Sequence, residues 1–202
     1  MITRLECDAD HFRIHLGKRI LLLGCPGSGK TTLAKQLGPI LNIQLFHLDN
    51  YYWKEDGTCP EDDEWLETLC SFVMQESWII EGNYLSAFEM RIKRADLVIL
   101  LAPSTRVSLW RVLKRGVTSL FLRDTSTTAF RTGRSYLFDL NLKFLFRILN
   151  FNRVERKFQL ECLGRLGAKV IELKSNEGID DLFYALRIQD CSAYKYLHRK
   201  PN

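Results

Sequence analysis

Gly24-Cys25-Pro26-Gly27-Ser28-Gly29-Lys30-Thr31-Thr32 is the stretch whose reading decides the fold. The apolar run at residues 20–23 stands directly before it and a helical pattern directly after it, so G-x-x-x-x-G-K-T falls where a strand turns into a helix. Glycines at 27 and 29 lack a Cβ, which lets the chain turn successive N–H groups inward around a phosphate. A helix beginning near Lys30 aims its positive end at the same anion. Lys30 is placed to bridge β- and γ-phosphates, and the Thr31 hydroxyl to take Mg²⁺. Residues 24–32 therefore read as the nucleotide-binding loop.

Working outward, 202 residues with no long apolar run predict one α/β domain, 1–202. It carries an N-terminal extension (1–18), a lid-like insertion near 116–135 and a C-terminal tail (187–202). No stretch approaches the roughly 18 apolar residues of a membrane span, and residues 1–18 mix charges with apolar side chains unlike a signal peptide. The expectation is a cytoplasmic protein with no membrane contact. Cys7, Cys25, Cys59, Cys70, Cys162 and Cys191 form no C-x-x-C pair, so they read as reduced thiols rather than a zinc site or a disulfide frame.

The net charge of +5 conceals two opposed regions. Residues 49–81 hold ten acids against one base, Lys54, a net −9; residues 82–160 hold fifteen bases against five acids, a net +10. A basic region facing a phosphate loop suits a triphosphate, and acids near an acceptor suit metal and general-base work. Nucleic acid is the competing partner for the basic region.

Along the chain, the alternation Phe12, Ile14, Leu16 predicts a short strand or hairpin before the core. Leu33, Leu37 and Leu41 form the inward stripe of the first helix, which Gly38-Pro39 should end or kink. A second strand at 43–48 delivers Asp49 to the carboxyl edge of the sheet, where ligands bind in open α/β folds. Asp49 is a candidate base for an acceptor hydroxyl, a partner of the metal through its surrounding shell, or a helix or turn cap. Tyr52 and Trp53 follow it as candidate acceptor walls or as packing. A helix starting after Pro60 buries Trp65, Leu69, Phe72 and Val73. The strand Trp78-Ile79-Ile80 then brings Glu81 to the same edge as a candidate metal-holding acid or a structural hydrogen-bond anchor, with Asn83 and Tyr84 beyond it.

Arg91 is the candidate acceptor contact in the next helix. After the strand at 97–101, Ser104 caps a helix whose inner side should carry Val107, Trp110 and Leu113, while Arg111 and Arg115 share a face suited to phosphate oxygens. Arg131 and Arg134 fall in the lid-like insertion. An aromatic helical stretch from 135 to 162 breaks near Asn150-Phe151-Asn152. The last strand, 168–173, ends at Ser175 and Asn176, where an adenine ring could rest.

These signals in order resemble the adenylate kinase-like branch of the phosphate-loop proteins, most closely the topology-modulation (FlaR-like) group. The residues carrying the likeness are the phosphate loop, His47-Leu48-Asp49 with Tyr52-Trp53, Trp78-Ile79-Ile80-Glu81-Gly82-Asn83-Tyr84, Arg94-Ala95-Asp96 and Trp110-Arg111-Val112-Leu113-Lys114-Arg115. The resemblance implies a three-layer α/β/α fold with a five-stranded parallel sheet, ATP and Mg²⁺. The helix after the second strand lacks the arginine such nucleotide kinases use for an acceptor phosphate, and no cysteine-rich zinc lid is present. Asp49 followed by aromatics looks like the small-molecule kinases in which an aspartate takes the hydroxyl proton. The expected function is ATP- and Mg-dependent phosphoryl transfer to a small hydroxylated or nucleotide-like acceptor. The alternative is a nucleotide-dependent DNA-topology or regulatory protein without that activity.

Overall fold

The computed structural model describes residues 2–4, 16–54, 56–121 and 142–197, with side chains outside the description at 2–4, 119–121 and 187–197. Six parallel strands appear among them: β1 (Ile2–Arg4), β2 (Arg19–Gly24), β3 (Leu45–His47), β4 (Trp78–Glu81), β5 (Leu97–Leu101) and β6 (Val170–Leu173), in the order β1-β6-β5-β2-β4-β3. The five expected core strands are all present. The N-terminal region adds a sixth at Ile2–Arg4, registered Ile2 to Val170; residues 12–15 of the Phe12–Leu16 alternation lie outside the described residues.

β2 runs buried from Ile20 to Gly24 because both faces are covered. Its even and odd positions serve different layers. Leu21 and Leu23 join Phe46, Ile80, Val98 and Leu100 beneath α3 (Asp62–Val73), α4 (Phe88–Arg94) and α7 (Glu155–Arg165). Ile20 and Leu22 join Ile79, Ile99 and Ile171 beneath α1 (Lys30–Leu41) and α8 (Asn176–Leu197). The three layers follow directly, and each wholly buried leucine or isoleucine contributes about 2 kcal/mol.

The expected face of α3 is the one buried, with Trp65 and Leu69 essentially inaccessible. Three local expectations are corrected. α1 continues through Pro39 to Leu41 and stops at Asn42, whose left-handed backbone (φ 52°) closes the end, because proline so near the terminus forfeits little of the helical ladder. α5 (Thr105–Phe121) buries Ser108 and Val112, while Val107 and Trp110 are exposed. The small Ser108 lets this helix lie against the phosphate loop, and residues 116–121 of the expected lid continue it. Beyond Leu186 the final helix continues to Leu197.

α6 (Leu142–Asn150) and α7 are separated where the asparagines were expected to break the pattern, and Phe151 at the break is buried with Cys25, Val112 and Ile148. No described helix is long and apolar enough to cross a membrane. α2 (Asp49–Tyr52) is a single turn at the carboxyl end of β3.

Candidate functional site

β2 sits between β4 and β5, and the chain leaves it first toward β3 and later toward β5. Ligands bind outside the carboxyl ends of strands at such a reversal point. The phosphate loop emerges there, closed by Ser28 N–H donating to the Cys25 carbonyl at 3.0 Å before α1 begins. The first amides of α1 have no partner within the helix and face the loop as donors. Gly27 is fixed by two constraints: its φ is +80°, and a Cβ there would stand 2.4 Å from the Ser108 carbonyl oxygen and 2.8 Å from Val112.

Lys30 Nζ donates to the carbonyls of Gly24 at 2.8 Å and Cys25 at 3.0 Å. Burial lowers its pKa, while the charges of Glu81, Cys25 and Asp49 act to hold the proton on. Burial likewise pushes the Cys25 thiol up to about 11, so this cysteine is a packed thiol rather than a reactive one.

Thr31 Oγ1 donates to Glu81 Oε1 at 2.8 Å, joining the start of α1 to the end of β4. Glu81 is buried, and parallel pairing sets His47 directly beside it. Burial works to raise the Glu81 pKa, but the ion pair with His47, the charge of Lys30 and the Thr31 hydroxyl hold it below the usual carboxylate range. Burial opposes the charging of His47 in turn, and Glu81 and Asp49 together raise it. His47 is a functional neighbour that sequence reasoning passed over. Its signal was its place at a strand end, and only the β3–β4 register reveals its partner.

Both oxygens at this corner suit a hard divalent cation: a threonine hydroxyl and an ionised carboxylate. Among the described residues no cluster of three or more acid, histidine or cysteine side chains forms a metal cage. That donor set fits Mg²⁺ shared with phosphate oxygens rather than an ion enclosed by protein alone.

Across the corner, Tyr84 donates its hydroxyl to Asp49 Oδ1 at 2.7 Å. Burial first, then Asp49, raises the Tyr84 pKa, so the phenol stays protonated and donates. Tyr52 packs edge-on to Trp53 and Trp65, at 5.0 and 5.1 Å between ring centroids, and lies 4.6 Å from Tyr84. Asn83 Nδ2 donates to the Gly24 carbonyl at 2.6 Å and so ties the loop after β4 to the phosphate loop. Gly82 (φ +143°) precedes it because a Cβ would meet Leu48 at 2.9 Å.

Arg91 departs from expectation. It is wholly buried, and its guanidinium donates to the carbonyls of Gly82, Tyr84 and Ser86. Burial lowers its pKa to about 10. Rather than facing an acceptor, it holds from beneath the turn that presents Asn83 and Tyr84.

Arg111 reaches over the phosphate loop, donating to the Ser28 carbonyl at 3.1 Å and to Asn176 Oδ1 at 3.0 Å. It therefore joins α5 to the start of α8, with Arg115 exposed one turn on. Ser175 Oγ accepts from Gly178 N–H at 3.3 Å and caps α8. Arg131 and Arg134 lie outside the described residues.

No protein-family profile matches the chain. A shikimate kinase from Corynebacterium jeikeium (strain K411) is 45% identical over 47 residues, which is 23% of this chain and 25% of that relative. Among solved structures, a shikimate kinase from Acinetobacter baumannii in complex with shikimate superposes with a TM-score of 0.51 at 15% identity, covering 91% of this chain and 96% of its own. The shikimate kinase from Bacteroides thetaiotaomicron gives 0.51 at 18% identity over 87% and 98%, and that from Aquifex aeolicus 0.50 at 20% over 84% and 96%. What the chain shares with these is the three-layer α/β/α fold. The likenesses carry nothing on the topology-modulation assignment.

Proposed function

We propose that the protein is an ATP- and Mg-dependent phosphotransferase acting on a small hydroxylated acceptor, working in the cytoplasm. The observation that carries this reading is the meeting of three groups at one sheet edge: Lys30 on the phosphate loop, the Thr31–Glu81 oxygen pair, and Asp49 with Tyr84. Asp49 is close enough for its charge to act on both Lys30 and His47, so donor and acceptor sides share one electrostatic environment. The short match to a shikimate kinase and the fold of three others support phosphoryl transfer to a small hydroxyl compound.

Thr31 and Glu81 would hold Mg²⁺, which when bound offsets charge on the β- and γ-phosphates. The amides of residues 24–32 grip the β-phosphate. Lys30 leaves its two carbonyls to contact the γ-phosphate, and Arg111 and Arg115, with Arg131 and Arg134 from the lid, balance developing charge. Ser175 and Asn176 border the adenine side, where Arg111 already fixes Asn176. Asp49 accepts the acceptor hydroxyl proton as that oxygen bonds to the γ-phosphorus. The bond from phosphorus to the bridging oxygen breaks and ADP leaves. Tyr84 fixes the carboxylate during the exchange, while Tyr52, Trp53 and Asn83 border the acceptor.

The DNA-directed alternative rests on the basic residues of 82–160, and many of those described serve the fold. Arg94 donates to the Val73 carbonyl, Arg147 pairs with Glu155 at 2.5 Å, and Arg156 pairs with Glu172. Incubation of the purified protein with ATP, Mg²⁺ and a metabolite mixture, read by mass spectrometry, tests the proposal. A single species heavier by one phosphate is the expected result. ATP left intact with every acceptor would overturn it.

A further inference from the structure

The Lys30 ammonium is held by two carbonyl oxygens, and each of them has a second donor. The Gly24 oxygen accepts from Lys30 Nζ at 2.8 Å and from Asn83 Nδ2 at 2.6 Å. The Cys25 oxygen accepts from Lys30 Nζ at 3.0 Å and from the Ser28 amide at 3.0 Å. A carbonyl oxygen carries two lone pairs, so both bonds can be made at once. When the lysine turns to a γ-phosphate, neither carbonyl is left without a donor.

The two second donors differ in origin. Ser28 belongs to the phosphate loop and arrives with its turn. Asn83 lies 59 positions from Gly24, next to the Tyr84 that donates to Asp49, so it reaches the loop from the acceptor side. Its turn is braced, because Arg91 donates to the carbonyls of Gly82, Tyr84 and Ser86. Gly24 is buried, and a Cβ there would stand 2.3 Å from the Leu101 carbonyl oxygen. The Asn83 amide must present its nitrogen, since a carbonyl only accepts, and its Oδ1 is buried with no partner among the described residues. Glu81 and Asp49 attract the Lys30 ammonium and Arg147 repels it, but such forces set no direction. Where the ammonium stands is decided by its hydrogen bonds.

We propose that Asn83 is a positioning residue for Lys30: by keeping the Gly24 carbonyl bonded, it lets the lysine leave for the γ-phosphate without orphaning a buried acceptor. This rests on the phosphotransferase reading and gives Asn83 a task beyond bordering the acceptor. Without its amide, the Gly24 oxygen would lose its other donor at the moment Lys30 departs, and a buried carbonyl left unpaired is disfavoured. The loss falls on the triphosphate complex rather than on the fold, because Lys30 still holds that oxygen until a γ-phosphate draws it off.

The test uses the full chain with Mg²⁺ and compares a non-hydrolysable ATP analogue with ADP by calorimetry, beside melting temperatures measured without nucleotide. Asn83→Ala should bind the ATP analogue about three- to tenfold more weakly, with ADP affinity changed less and the melting temperature close to that of the parent. Asn83→Asp, of the same size but with no donor when ionised, should lose at least as much. In a Lys30→Ala background, Asn83→Ala should no longer alter the ratio of the two affinities. Equal losses for both nucleotides, a parental ratio in Asn83→Asp, or an Asn83→Ala effect undiminished without Lys30 overturns the proposal. So does a large fall in the nucleotide-free melting temperature, which would make Asn83 a residue of the fold. A parent protein that binds neither nucleotide overturns the proposal and the phosphotransferase reading together. Transfer is followed separately, by mass spectrometry with ATP and the metabolite mixture. The expected affinity pattern without transfer to any acceptor would sink the phosphotransferase reading alone.

Discussion

The phosphate side and the acceptor side of this site are built by different means. The phosphate side is local: nine consecutive residues, one strand before and one helix after, with the Gly24 and Cys25 carbonyls receiving Lys30 from six and five positions away. The acceptor side is assembled over distance, Asp49 meeting Tyr84 across 35 positions and Asn83 meeting Gly24 across 59. A local device needs backbone geometry and little else. An assembled one needs a scaffold, and here a buried guanidinium provides it.

The comparison breaks most sharply at Lys30. Lys30→Ala should lower turnover by about 10²- to 10³-fold while circular dichroism and melting temperature stay near those of the parent, since loss of a group aimed at transition-state charge costs roughly 3–4 kcal/mol. Asp49→Asn should slow transfer by about 10²-fold with ATP affinity nearly unchanged, measured by single-turnover kinetics beside calorimetry. An equal loss of both would move Asp49 to the phosphate side.

Arg91→Met sharpens the contrast in another way. Removing the guanidinium leaves the carbonyls of Gly82, Tyr84 and Ser86 without that donor, at a cost of about 1–3 kcal/mol, so the melting temperature should fall by several degrees. The acceptor KM should rise more than the ATP KM, and Arg91→Lys should recover part of each. Tyr84→Phe removes one charge-assisted hydrogen bond and should cost about 1.5–3 kcal/mol at most, seen as a shifted pH–rate profile with unchanged nucleotide binding.

The smallest effect lies at the far edge of the sheet. Arg19 holds the Asp96 carboxyl below its ordinary range, burial opposes this, and the amides of Lys18 and Arg19 add to it. Because the folded pKa is depressed, the stabilisation is complete above the unfolded value of about 3.9 and is lost as pH falls through the folded one. Parent and Asp96→Asn melting temperatures should therefore differ modestly near neutrality and converge as the pH falls through the depressed folded value, with activity at neutral pH little changed. The pair is partly exposed, which keeps the difference small.

Much of this molecule was legible in sequence where a short-range pattern carries the physics. The buried face of α3 could be read from helical spacing, and the five core strands from apolar runs closed by polar residues, glycine or proline. Trp110 was misjudged because spacing gives a helix its stripe but not the neighbour it must meet. α5 packs against a backbone loop, and contact that close selects Ser108 over a large aromatic. Arg91 was misjudged for a related reason: a charge in a helix reads as solvated or as functional, and nothing in the linear order reveals that three carbonyls converge on it.

The amino-acid order by itself determined the strand–loop–helix unit around Lys30, because its glycines, lysine and threonine act through backbone within a few positions. It also determined that an acid would end β4 and another would follow β3. Only the tertiary structure decided that His47 pairs with Glu81, that Tyr84 steadies Asp49, and that Arg91 holds from beneath the turn carrying Asn83 and Tyr84. Those outcomes depend on strand register and on which side chains are buried, and register is set by the packing of the whole sheet rather than by any one stretch of chain.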